Sequence, residues 1–168
     1  MESSEKILKF DNLEICLKTD KKVIELQLFG DIDRYFPTSI DEIKETRSDL
    51  NIMFLNIRNI NSTGIRNFLM FLADFKKSVK INYFFCPPIF IDQCNVVKGL
   101  ISTRRQVKSL QLPYFDEKVN QEVLINVNVD EIQDGAPPQQ SDSGRDLIFN
   151  KNQQLFFMFL KRQNATEE

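Results

Sequence analysis

The sequence predicts an α/β fold: an open mixed β-sheet with helices packed on it, extended at its C-terminal end by one more strand and a helix. Two observations carry that prediction. Up to Leu112, short apolar runs of strand length alternate with segments whose apolar residues recur at helical spacing. The 168 residues hold 42% hydrophobic and 27% charged side chains, an ordinary balance for one globular domain with an appendage. Fifteen Phe and no Trp make the expected core one of phenylalanine rings.

The elements follow in order. Leu8–Leu17 and Val23–Phe29 read as two strands joined by the polar turn Lys18–Lys22, and so as an antiparallel pair. Ile24, Leu26 and Leu28 fall on one face of the second strand, and Gly30 ends it. Ser39-Ile40-Asp41-Glu42 has the form of a capping box, which predicts a first helix over about Ser39–Ser48. Asn51–Ile57 is apolar enough for a central strand covered on both faces.

Ser62 is placed to cap a second helix, in which Ile65, Phe68, Leu69, Leu72 and Phe75 share a stripe. Lys76 and Lys77 would occupy its last turn, where positive charge suits the dipole. Val79–Phe85 reads as a strand, Ile91–Val97 as a short helix stopped by Gly99, and Gln106–Leu112 as the last strand of the sheet. Residues 1–112 form the expected domain and 113–168 its extension, packed on the same domain. In the extension Glu122–Val129 is a strand, about 134–146 a flexible loop rich in Pro, Gly and Gln, and about 152–161 an apolar helix. Leu155 to Leu160 require burial on their own domain or in a partner, a second copy included.

Composition excludes several functions. No histidine is present, which removes Ser-His-Asp and Cys-His nucleophiles and the commonest transition-metal ligand. No Cys-x-x-Cys occurs, and the five glycines spell neither a P-loop nor a dinucleotide fingerprint. Neither a metal nor a cofactor is therefore expected. Asp and Glu total 24, which leaves carboxylate catalysis open, yet no spacing singles out a pair; the expectation is a non-enzyme. A net charge of −2 gives no field to draw in nucleic acid. Met1–Lys9 is polar, without the apolar stretch of a signal peptide, and no run is long enough for membrane insertion. Cys16, Cys86 and Cys94 form no disulfide framework, so a reducing, cytoplasmic setting is expected.

With the second helix placed, the chain resembles a STAS domain, the fold of sulfate transporters and anti-sigma-factor antagonists. The resemblance runs over about residues 8–112. It rests on Val23, Glu25, Leu26, Leu28 and Gly30, then Ile52, Phe54, Leu55, Asn56 and Ile57, then Ile60-Asn61-Ser62-Thr63-Gly64-Ile65, where the family has a strand running into an Asp-Ser-Ser/Thr-Gly turn. The stretch Cys86–Gly99, with Leu112-Pro113-Tyr114-Phe115, is similar to a group of bacterial STAS-like proteins with a C-terminal extension. Some of those carry cysteine pairs in the extension; this chain has no cysteine after Cys94, so no metal role transfers.

The resemblance implies a signalling or scaffold module that binds a partner protein, of the kinase or anti-sigma-regulator kind, through Asn61, Ser62, Thr63, Gly64 and Arg66. It makes Ser62 the phosphorylation candidate, with Thr63 second, because in anti-sigma-factor antagonists a phosphate on that serine blocks binding. Asn61 departs from the family's Asp, keeping the hydrogen-bonding and losing the charge.

Plainer explanations stand beside these. Ser62 as a helix cap needs no kinase, and Gly64 suits close packing of helix on strand. Cys86 and Cys94 suit small core positions. Arg104, Arg105 and Lys108 form either a solvated loop or an anion site, the second giving the alternative of a small-ligand or nucleotide-like anion sensor. Asp31, Asp33 and Asp41-Glu42 read as solvated charge and helix-start chemistry.

Overall fold

The computed structural model describes residues 4–20, 22–138, 140–142 and 145–164. It is a mixed α/β structure whose chain divides into two compact units, Met1–Phe84 with Arg104–Gln106, and Phe85–Thr103 with Val107–Glu168. The boundary drawn after residue 112 thus falls inside a strand of the second unit, Ser109–Asp116.

The first unit is built on a six-stranded mixed sheet in the order β1-β2-β3-β4-β5-β6. Its strands are β1 Ser4–Phe10, β2 Leu13–Thr19, β3 Val23–Ile32, β4 Asp49–Ile60, β5 Ile81–Phe84 and β6 Arg105–Val107. The first three form an antiparallel meander, and β3, β4 and β5 run parallel. The single strand expected over Leu8–Leu17 is instead two. Asp11-Asn12 turns the chain between them, and Phe10 faces Leu13. Short polar Asp and Asn side chains tolerate a tight turn better than the apolar alternation on either side revealed.

One face of this sheet is the core. Ile15, Leu17, Ile24, Leu26, Leu28, Leu50, Ile52, Phe54, Ile81 and Tyr83 are all buried there. The alternate residues of β3 and β4, such as Glu25, Gln27, Asn51 and Met53, are half-buried and Leu55 is exposed. So β4 buries a single face rather than the expected two.

The predicted helix over Ser39–Ser48 does not form; residues 41–45 make turns. Both members of the capping box are engaged elsewhere. Ser39 Oγ donates to Asp74 Oδ2 at 2.6 Å, and the Glu42 carboxylate pairs with Lys6 across from β1. Asp41 and Lys44 pair with each other at 2.7 Å. This irregular segment still fills the space a helix would: Phe36, Ile40 and Ile43 are buried. Phe36 meets Phe68 edge-on at 5.1 Å and Phe71 at 5.8 Å between ring centroids.

Those two rings belong to α1, Ser62–Ala73, which lays Ile65, Phe68, Phe71 and Leu72 on the core face of the sheet. With Phe54, Phe75 and Tyr83 they complete the phenylalanine-rich core that the composition predicts. The helix ends at Ala73 with Asp74 as its C-cap, so Lys76 and Lys77 lie beyond it.

The second unit has a four-stranded antiparallel sheet ordered β8-β7-β10-β9. Its strands are β7 Ser109–Asp116, β8 Gln121–Asn128, β9 Gln140–Asp142 and β10 Arg145–Phe149. Among the described residues it is joined by the helices α2 Pro88–Val96, α3 Gln153–Phe156 and α4 Met158–Asn164 and by a 3-10 turn, Val129–Glu131. The strand expected over Gln106–Leu112 is divided at Lys108 between β6 of the first sheet and β7 of this one. Part of the expected loop at 134–146 is strand, because β9 pairs with β10 and β10 with β7. Residues 139, 143 and 144 of that loop lie outside the described residues.

The apolar C-terminal helix is also two pieces, broken at Phe157. The break lets both Phe156 and Phe157 turn inward, against Phe149 at 5.6 Å each. Phe156, Phe157 and Phe159 are buried, while Leu155 and Met158 remain exposed. Polar contacts fasten the two helices. Gln163 exchanges hydrogen bonds with the Val107 backbone at 2.8 and 3.1 Å. Asn95 Nδ2 donates to Phe156 O at 3.0 Å, and Arg162 to Cys94 O at 3.2 Å.

Candidate functional site

In the first unit the C-terminal ends of β3 and β4 meet the N-terminus of α1, the end of a parallel sheet where binding sites concentrate. The register there is set by close backbone approach. A Cβ on Gly64 would stand 1.9 Å from Ile32 O and 2.6 Å from Asp33 N, so only glycine lets the helix start this near β3. Asn61 N–H donates to Ile32 O at 3.1 Å and fixes the entry to the helix.

The cap of α1 is Asn61. Its Oδ1 accepts from Gly64 N–H at 2.9 Å, and its backbone is extended as an N-cap requires. The expectation that Ser62 caps is therefore corrected: Ser62 occupies the first helical position. The asparagine side chain supplies the acceptor that capping uses. With the cap supplied by its neighbour, the Ser62 side chain is exposed, as are Thr63, Arg66, Met70 and Ala73 along the same outward face.

A second group of residues supports this end from below. Asp33, taken from sequence as solvated charge, is buried. Its Oδ1 accepts from Tyr35 N–H at 2.9 Å and its Oδ2 from Asn12 Nδ2 at 2.8 Å, tying the β1–β2 turn to the end of β3. Asn67, one turn into α1, donates to Arg34 O at 3.1 Å and to Phe36 O at 3.3 Å. Arg34 lies over the Tyr35 ring at 4.8 Å and donates to its hydroxyl at 2.7 Å. Arg58 pairs with Asp31 at 3.2 Å. Sequence reasoning missed Asn12, Arg34, Tyr35 and Asn67. Only Asp33 carried a signal, a carboxylate close after Gly30, the expected end of the strand; β3 instead runs on to Ile32.

The residues proposed for an anion site are placed differently. The Arg104 guanidinium donates to Lys76 O at 2.7 Å and that of Arg105 to Leu72 O at 3.0 Å. Both serve the carbonyls at and just beyond the C-terminus of α1, where positive charge is favourable. Burial holds the Arg105 guanidinium below its ordinary value. Lys108 is exposed beyond β6.

Cys86 and Cys94 are fully buried free thiols in the second unit. Burial pushes both well above the usual thiol range. Among the described residues no three Cys, Asp or Glu side chains converge where they could hold a metal ion, and no helix is long and apolar enough to cross a membrane. No protein-family model matches the chain, and neither a curated protein nor a solved structure matches it.

Proposed function

We propose that the chain is a non-catalytic module that binds a partner protein through the start of α1, Asn61–Gly64, and the outward face that carries Arg66, under control of Ser62. The observation that carries this reading is the division of labour at the helix start. Asn61 supplies the cap, so the exposed Ser62 hydroxyl has no structural duty there, and it shares its face with Arg66 and with Met70, 48% exposed. An exposed hydroxyl, a cation and an apolar side chain within two turns suit contact with another protein. A phosphate on Ser62 would add about −1.5 to −2 charges beside the free N–H groups of the helix. Arg66, four residues on, is within reach to pair with it. Binding that needs Arg66 free would then be lost.

A partner kinase or anti-sigma-like regulator is the class that the resemblance to anti-sigma-factor antagonists implies. Three buried, free cysteines suit a reducing cytoplasm. The test is a paired pull-down from host extract with wild type, Ser62→Ala and Ser62→Asp, alongside a phosphosite measurement by mass spectrometry. Ser62→Ala is expected to keep the wild-type partners and Ser62→Asp to lose them. Equal recovery by Ser62→Asp defeats the switch.

A further inference from the structure

We propose that the second unit forms a homodimer by antiparallel pairing of β8 with β8 of a second copy, centred on Leu124. The proposal is independent of the α1 face and starts from how sheet edges are protected. Unpaired edge strands invite pairing unless they are short or carry charge, above all lysine. Of the edges of the two sheets, β6 and β9 are three residues each. β1 carries Glu5, Lys6 and Lys9. β8 is eight residues long, has Glu122 as its one charge and contains no proline. Val123 and Leu124 on it are 37% and 49% exposed.

The direction of its backbone groups follows from the register. Val129 N–H donates to Lys108 O at 2.9 Å, continuing the β7–β8 register by one pair. Hydrogen-bonded and non-bonded pairs alternate along an antiparallel ladder, so the odd-numbered residues of β8 bond to β7. Pro113, which has no N–H, faces Leu124 and falls at a non-bonded pair, as it must. Glu122, Leu124 and Asn126 therefore point their N–H and C=O groups to the open edge. The row stops at Asn128, whose N–H is taken by Glu131 Oε2 at 2.6 Å.

That row is complementary to itself in one register. Centring the pair on Glu122 would set two carboxylates against each other. Centring it on Leu124 sets Glu122 of each copy against Asn126 of the other, Leu124 against Leu124, and Val123 against Ile125. About six hydrogen bonds would close the edge, and β-branched side chains would pair across the strands. The Glu122 carboxylate, whose Oε2 accepts from Asn150 Nδ2 at 2.8 Å within its own copy, would meet a second amide donor at its remaining lone pairs. The occupant with this complementary pattern is a second copy of the chain.

The full chain in light scattering over a concentration series tests this, with L124C, N126E and N126K. Leu124 and Asn126 are exposed, so these changes leave the fold intact. Wild type is expected to dimerise. N126K, which brings a lysine to each Glu122, tightens the dimer; N126E, which brings a second carboxylate there, weakens it by roughly tenfold over two pairs. Opposed Leu124 positions at a bonded pair lie about 5.5 Å apart at Cα, within disulfide reach, so L124C cross-links on oxidation. A wild-type monomer at high concentration overturns the proposal. So does equal weakening by N126K and N126E, which would place the two-fold axis on Asn126, or an L124C chain that stays uncross-linked.

Discussion

Exchanging Asn61 and Ser62 for alanine separates the residue that holds the start of α1 from the one left for recognition. Asn61→Ala removes the acceptor of the 2.9 Å bond from Gly64 N–H. Loss of an N-cap side chain costs about 1 kcal/mol. The helix stays docked, because Phe68, Phe71 and Leu72 are buried beneath it. Ser62→Ala removes an exposed hydroxyl and is expected to stay within about 0.5 kcal/mol of wild type. Ser62→Asp places a carboxylate in the first turn and stabilises by about 0.3–1 kcal/mol. Urea midpoints give the three stabilities, and hydrogen exchange at Gly64 reports the bond itself. Exchange there should quicken roughly fivefold in Asn61→Ala, the factor that 1 kcal/mol represents, and remain at the wild-type rate in Ser62→Ala. A Ser62→Ala chain as destabilised as Asn61→Ala, with Gly64 exchange unchanged in the latter, would refute the assignment of the cap.

Gly64→Ala would bring a methyl to 1.9 Å from Ile32 O; the helix start must lift, and urea denaturation is expected to show a loss of about 3 kcal/mol. A thiol reagent at mildly alkaline pH should reach Cys16 first, at 8% exposure, and label Cys86 and Cys94, at 0%, only as the second unit unfolds. Mass spectrometry after timed labelling reads that order. Burial raises the Tyr114 phenol from its ordinary value near 10 to about 12, and it donates to Pro138 O at 2.6 Å. The folded state thus holds this proton more tightly, so its stabilisation is complete below pH about 10 and is lost between about 10 and about 12. Denaturation over that range should show the decline in wild type and a reduced one in Tyr114→Phe.

Strong period-two and helical patterns were legible from the residues alone. Ile24, Leu26 and Leu28 in β3 and the stripe of α1 lie as their spacing dictates, since burial of one face is what such spacing encodes. What stayed hidden depended on partners distant in sequence. The Ser39–Glu42 capping box reads as a helix start until Asp74 and Lys6 claim its side chains. Asp33 reads as solvated until Asn12, from another hairpin, binds it. Asn61 and Ser62 are both good caps by type, and only the geometry at Gly64 decides between them. The loop containing β9 and the start of β10 is turn-rich in composition. Its strand residues pair with one another, Arg145 with Asp142 and Asp146 with Ser141, and β10 is held on the distant β7 at Ile148 and Phe149, which local sequence does not report.

The irregular connection between β3 and β4 bears on how the first unit reaches its native state. The β1–β2–β3 meander has short connections in sequence and closes from neighbouring residues. The parallel β3–β4 pair must instead wait for a long segment without regular structure to loop back. Such non-local closure is slow, because its entropy is lost before any contact rewards it. Phe36, which lies in that segment and touches both Phe68 and Phe71, is the residue that can gather strand and helix together as the loop closes. Trimming its ring would then slow folding more than it hastens unfolding, making one loop phenylalanine a determinant of rate as well as of stability.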